Sequence, residues 1–300
     1  MFTWHAHEEA VTALAFGPNG RFLVSAGADE CVTVWDPLTG TEQARIPLRV
    51  DDMLRMPGDA TGPLRHLVVS GDGARVVVSQ PAIGLVFVDL EREEVAFTHT
   101  FDEVLAVKSA PDGESVFVCP MNPVAVYQSR FADGEQLHSL PGPTWPARAQ
   151  AIGVSPSGSH LAVGHLIYQW PPIASPPRST RVQVKNYTPE DLAFSADNSH
   201  LFALVGGKIV VYSLPGGLFK TKLKGHDGRI TAMALAPDGR RLWTASRDAT
   251  VKCWDTFSLT LDRTYTFQTG GLDCLAVSPD GNVAAVGSGQ KGTITLWDLD

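Results

Sequence analysis

Apolar residues in this chain come in short runs broken by Gly, Asn, Pro or Asp, as in Ile230-Thr231-Ala232-Met233-Ala234-Leu235 followed by Arg241-Leu242-Trp243-Thr244-Ala245. Small and β-branched residues dominate these runs, and no segment shows a helical period with caps at both ends, so the pattern predicts many short strands. Their near-continuous hydrophobicity predicts sheets buried on both faces. Between the first and second strand of each unit lies a tight turn whose Gly or Asn can take a positive φ. There are seven such turns: Pro18-Asn19-Gly20, Gly71-Asp72-Gly73, Pro111-Asp112-Gly113, Pro156-Ser157-Gly158, Ala196-Asp197-Asn198, Pro237-Asp238-Gly239 and Pro279-Asp280-Gly281. A fourth, more polar strand such as Thr41-Glu42-Gln43-Ala44-Arg45-Ile46 is predicted at the outer edge, where charge discourages edge-to-edge pairing.

The third strand of three units closes on Trp-Asp, at Trp35-Asp36, Trp254-Asp255 and Trp297-Asp298, and the same slot is assigned to Val88, Tyr127, Trp170 and Tyr212 in the others. From Tyr127 onward these positions lie about 42 residues apart, the period of four-stranded propeller blades. The expected fold is therefore an all-β, seven-bladed β-propeller of four-stranded antiparallel blades, with residues 1–300 as one domain. Because the chain runs out on the third strand of its last blade and starts with an orphan strand, Met1 to His5, the N-terminal strand is expected to close the ring by pairing with that blade.

These features resemble the WD40 repeat family. The sixth unit carries Gly225-His226, Ile230, Pro237-Asp238-Gly239, Thr244-Ala245-Ser246-Arg247-Asp248 and Trp254-Asp255 at the family's spacing. The resemblance implies a hydrogen-bonded tetrad of His226, Thr244, Asp248 and Trp254, and a second of His7, Ser25, Asp29 and Trp35, where Ala6 stands in place of the usual Gly. The chemistry suits burial: an indole N–H can only donate, a hydroxyl can accept it and donate onward to an imidazole, and the other ring nitrogen can face a carboxylate. In the other units the His slot holds Ala60, Thr100, Trp145, Lys185 and Gln268, so those five blades are expected to be held by packing alone. In the last unit Lys291 stands where the tetrad Asp belongs, so Trp297 is expected to act through packing.

Composition narrows the functional classes. A net charge of -8 with no long basic run argues against a broad nucleic-acid surface. The four cysteines sit singly, without metal-ligand spacing, and read as small reduced core residues. No run of about 18 apolar residues occurs and the start lacks a signal-like segment, so a cytoplasmic protein with no membrane partner is expected. Phosphate-loop, nucleophile-elbow and His-Glu-x-x-His motifs are missing, and no metal or cofactor is expected.

The resulting expectation is a non-enzymatic scaffold, a monomeric disc within a larger complex, that binds a protein or peptide through loops on one face. Contact residues chosen for their aromatic or Arg character are Arg55, Trp145, Arg148, Tyr187, Arg229 and Arg247. An insertion spanning residues 49–60 adds a candidate contact loop, and a Pro-rich insertion, residues 171–177, reads as a stiff spacer. Paired acids Glu8-Glu9, Asp51-Asp52 and Asp102-Glu103, all ahead of inner strands, could ring one mouth of the central channel, where a cation or basic peptide could use them. The alternative is a hydrolase- or lactonase-like propeller enzyme, which needs three or more His, Asp or Glu side chains converging on the axis.

Overall fold

The computed structural model describes residues 1–48, 63–81, 83–121, 125–141, 151–171, 179–181, 188–289 and 291–299. Among them are twenty-eight strands and no helix, arranged as seven four-stranded antiparallel sheets. Their inner strands are Val11–Phe16, Leu67–Val69, Val104–Ser109, Ile152–Val154, Asp191–Phe194, Ile230–Leu235 and Leu272–Val277, one for each of blades 1 to 7. No helix among the described residues is long and apolar enough to cross a membrane.

All seven predicted turns join first to second strands, and the third residue of each has φ between +56° and +78°. In five of the turns the middle residue is an Asp that ties the turn down: Asp197 accepts from the Ser195 and Ser199 hydroxyls at 2.7 and 2.8 Å and from the Ser199 N–H at 2.9 Å. Those bonds favour the carboxylate and hold its pKa down to about 2. Around the ring, Gly20, Gly73, Gly158 and Gly281 each lie beside the proline of the preceding blade's turn. Blade 2 has Gly71 in place of that proline, and there the two turn backbones meet directly, with the Gly71 N–H donating to the Gly113 carbonyl at 2.6 Å.

The core consists of seven apolar clusters, one at each blade-to-blade contact. Blade 6 shows why the strands read as continuously apolar. Trp243, Ala245, Val251 and Cys253 face blade 7, whereas Ile230, Met233, Leu242 and Trp254 face blade 5. Each large side chain buried this way contributes roughly 1.5–3 kcal/mol, and alternation merely decides which neighbour receives it.

The ring closes as predicted. Phe2–His5 pairs with Thr293–Asp298 of blade 7, placing Phe2 opposite Leu296 and His5 opposite Thr293. Trp4 of this strand packs on Trp35 of blade 1, with ring centroids 5.9 Å apart. The Ala6, Val11, Trp35, Cys274 and Ile294 side chains fill the seam beneath.

Two slot assignments are corrected. In blades 1, 2, 5, 6 and 7 the Trp-slot residue faces the third residue beyond the turn Gly or Asn, as in Leu23 opposite Trp35 and Leu242 opposite Trp254. By the same register, Val116 faces Ser129 in blade 3 and Leu161 faces Tyr168 in blade 4, so Tyr127 and Trp170 are each two residues out of place. The bulge before the slot agrees: it falls between Gln128 and Ser129, as it falls between Cys253 and Trp254. Trp170 instead packs edge-on against Phe117 and His138 of blade 3, with centroids 5.1 and 5.6 Å away.

Candidate functional site

Two hydrogen-bonded chains run from strand to loop. In blade 1 the Trp35 indole N–H donates to Ser25 Oγ at 2.7 Å, Ser25 Oγ lies 2.6 Å from His7 Nε2, and His7 Nδ1 lies 2.8 Å from Asp29. In blade 6 the same steps join Trp254 to Thr244 (2.9 Å), Thr244 to His226 Nε2 (2.8 Å) and His226 Nδ1 to Asp248 (3.0 Å). Burial favours neutral imidazoles, and with Nδ1 facing a carboxylate the ring proton sits on Nδ1 and Nε2 accepts from the hydroxyl. Burial lowers the pKa of both histidines, against the opposing pull of Asp29 and Asp248. For Asp248 burial acts upward, yet bonds from Thr250 and His226 leave the carboxyl well below its usual range.

Two of the remaining blades, 2 and 3, are not held by packing alone. In blade 3 the Gln128 amide donates to the buried Ser115 hydroxyl at 2.8 Å. In blade 2 the Ser79 hydroxyl lies 2.8 Å from His66 Nδ1, and burial, followed by the charges of Lys108 and Arg65, lowers the His66 pKa to about 4. Burial also pushes the Cys119 and Cys253 thiols up to about 12, and no disulfide joins the cysteines.

The residues ahead of the inner strands gather at one end of the disc, where ion pairs bridge neighbouring blades. Arg65 of blade 2 reaches Glu103 of blade 3 at 3.0 Å, Glu190 of blade 5 holds Arg229 of blade 6 at 2.7 Å, and Arg247 of blade 6 holds Asp273 of blade 7 at 2.5 Å. Burial raises the Asp273 pKa, opposed by Arg247. Inside the channel, a space of about 560 Å³ walled by all seven inner strands, Lys108 of blade 3 reaches past blade 4 to Asp191 of blade 5 at 2.8 Å.

Of the six chosen contact residues, the structure describes two. Arg229 and Arg247 are exposed at this mouth, bound to carboxylates of blade 5 and blade 7 respectively; Arg55, Trp145, Arg148 and Tyr187 lie outside the described residues, as do Asp51 and Asp52. The insertion at 49–60 and most of the Pro-rich one lie largely or wholly outside them too. Sequence reasoning passed over Arg65, Lys108, Glu190, Asp191 and Asp273. A polar residue at the head of, or inside, an otherwise apolar inner strand was the available signal. Among the described residues no group of three or more His, Cys, Asp or Glu is placed to hold a metal ion.

The profile of the family described as WD domain, G-beta repeat matches residues 1–36, 217–255 and 260–298, which take in the two tetrads and the closing blade. Among curated proteins, the chain is 29% identical over 181 residues to telomerase protein component 1 of Mus musculus, covering 56% of this chain and 6% of that protein. It is 27% identical over 172 residues to an uncharacterized WD repeat-containing protein of Synechocystis, covering 56% of this chain and 48% of that one. A 21% identical match to autophagy-related protein 16 of Arabidopsis thaliana extends over 98% of this chain and 48% of the relative. The chain thus spans about half, or much less, of the length of the relatives it matches. With repeats matched at both ends of the chain, seven four-stranded blades closed by the N-terminal strand, and tetrads in blades 1 and 6, this protein belongs to the WD40 repeat β-propellers.

Proposed function

We propose that the protein is a non-enzymatic interaction scaffold whose ion-paired mouth docks a protein or peptide segment bearing Lys or Arg. The observation that carries this reading is the charge arrangement there. Among the described residues, Arg65, Lys108, Arg229 and Arg247 beside the inner strands are each already paired with a carboxylate, while Glu8, Glu9 and Asp227 add exposed negative charge with no ion pair. A cationic side chain entering the mouth meets unspent carboxylates on a rigid rim; an anionic one has to displace an existing pair.

Arg229 and Arg247 act in this reading as interblade clamps that hold Glu190 and Asp273 in place, and as planar surfaces for the incoming segment. Peptides selected from a random display library on the full chain are expected to be enriched in Lys and Arg. Their affinity is expected to drop at least tenfold, about 1.4 kcal/mol, in the charge-reversed variant E8K/E9K/D227K. Selected peptides that bind this variant undiminished would rule out the mouth as the docking face.

A further inference from the structure

Blade 5 breaks the charge pattern of the rest of the molecule. In a chain of net charge -8, no Asp or Glu occurs between Asp197 and Asp227, while Lys208, Lys220, Lys222 and Lys224 all do. The second, third and outer strands of the blade, His200–Val205, Lys208–Ser213 and Leu218–Leu223, fall inside this stretch.

The register gathers the charge at one corner. Ile209 faces Leu223 and Val210 faces Lys222, so the next rung sets Lys208 opposite Lys224. Ile209 and Leu223 turn toward blade 6 while Val205 and Val210 turn toward blade 4, and by alternation Lys208, Lys222 and Lys224 share the blade 4 side. All three are exposed, and none has an ion pair among the described residues. Lys220 is the extra residue of a bulge between Phe219 and Thr221, and its Nζ turns away to His200 Nε2 at 2.5 Å.

Like charges on facing rungs repel and weaken a strand pair. Lysine on an outer strand can guard the edge against unwanted pairing, but the charged outer strands of blades 1 and 6 carry mixed signs: Arg45 binds Glu42 in blade 1, and Asp262 adjoins Arg263 in blade 6. The single-sign corner of blade 5 fits an anionic partner. The strand beside it, Leu218–Leu223, ends its sheet, so alternate backbone N–H and C=O groups face outward, and Leu218 and Phe219 stand 54% and 56% exposed at its start. A strand edge, carboxylate receptors two residues apart and an apolar step at one end are the requirements for adding an extended chain. Three lysines are too few to hold a polynucleotide against the acidic body of the disc.

We propose that the outer edge of blade 5 docks an extended acidic polypeptide segment, which pairs along Leu218–Leu223 and places alternate carboxylates on Lys222 and Lys224, with Lys208 behind them. This surface is the outer edge of blade 5, and its charge preference is opposite to that of the mouth. The test is fluorescence anisotropy of the full chain with a fluorescein-labelled peptide of four Glu-Thr repeats capped by Leu. Saturable binding is expected, weakening with NaCl and at least tenfold in K208A/K222A/K224A, and unchanged in E8K/E9K/D227K. The K222E/K224E variant is expected to prefer the matching Lys-Thr peptide. Wild-type affinity in K208A/K222A/K224A overturns the proposal, including where that variant merely aggregates, since edge protection would then be the lysines' whole role. Tighter binding of an oligothymidylate of equal charge, or of anionic phosphatidylserine vesicles, with the same dependence on the lysines also overturns it.

Discussion

Blades 6 and 7 are neighbours, share a core and carry the same Trp-Asp pair, yet they hold their tryptophans by different means. The Trp254 indole is the first donor of a four-membered chain that ends on Asp248, which also accepts from the backbone N–H groups of Asp227 and Thr250 at 2.9 and 3.0 Å. The Trp297 indole N–H is buried with no acceptor among the described residues. Register explains the difference. Thr244 stands two residues beyond Leu242, the partner of Trp254, and the residue two beyond Ala284, the partner of Trp297, is Val286. With no hydroxyl there, Trp297 is fixed by the edge of Phe267 and the ring of Tyr265, at 5.0 and 5.9 Å. A buried polar chain locks one loop to one strand, whereas aromatic packing fills space without fixing a loop. Blade 7 gains its outer strand from the start of the chain, so its order depends on the seam instead.

The largest test of that contrast removes the seam. Deleting residues 1–5 takes away the outer strand of blade 7 and the Trp4 contact with Trp35, and the urea midpoint is expected to fall by about 1 M or more. An unchanged midpoint would show that blade 7 stands on packing alone.

A smaller effect is expected from the tetrad. Asp248→Ala strands the His226 Nδ1–H and the nearby backbone donors, and should cost about 1–3 kcal/mol in urea unfolding. Lys291→Ala, the corresponding change in blade 7, should stay within about 0.5 kcal/mol, because Lys291 is exposed and joins no chain. Equal costs would erase the distinction between the blades.

The smallest effect comes from pH. His7, His226 and His66 have lowered pKa values in the folded protein, so the unfolded chain binds their protons first as pH falls. Their contribution is fully present above about 6.5 and is lost as pH falls through the folded values, which for His66 is about 4. The melting temperature should therefore drop by a few degrees between pH 7 and pH 5, and less in H66Q. Blade 7 has Gln268 in the His slot, so it has no counterpart of His7 or His226 there.

The two tetrads were legible because they rest on local spacing. A turn, a hydroxyl five residues after it and an indole ten residues later always fall in one hairpin, as in Gly239, Thr244 and Trp254. The slots of blades 3 and 4 were not, because aromatic residues two positions away, Tyr127 and Trp170, drew the assignment that strand register gives to Ser129 and Tyr168. A shift of two leaves a side chain on the same face of its strand, so hydrophobic patterning cannot detect it.

The sequence by itself determined seven units, the turn that opens each, and which indoles could join a buried polar chain, since those properties belong to residues close together along the strand. Only the tertiary structure decided which charges meet. Arg65 with Glu103, Arg229 with Glu190, Arg247 with Asp273 and Lys108 with Asp191 each join different blades at separations set by loop length and blade rotation, not by any repeat period. The same holds for the lysines of blade 5, whose alternation along one strand was visible but whose convergence with Lys208 required the neighbouring strand's register.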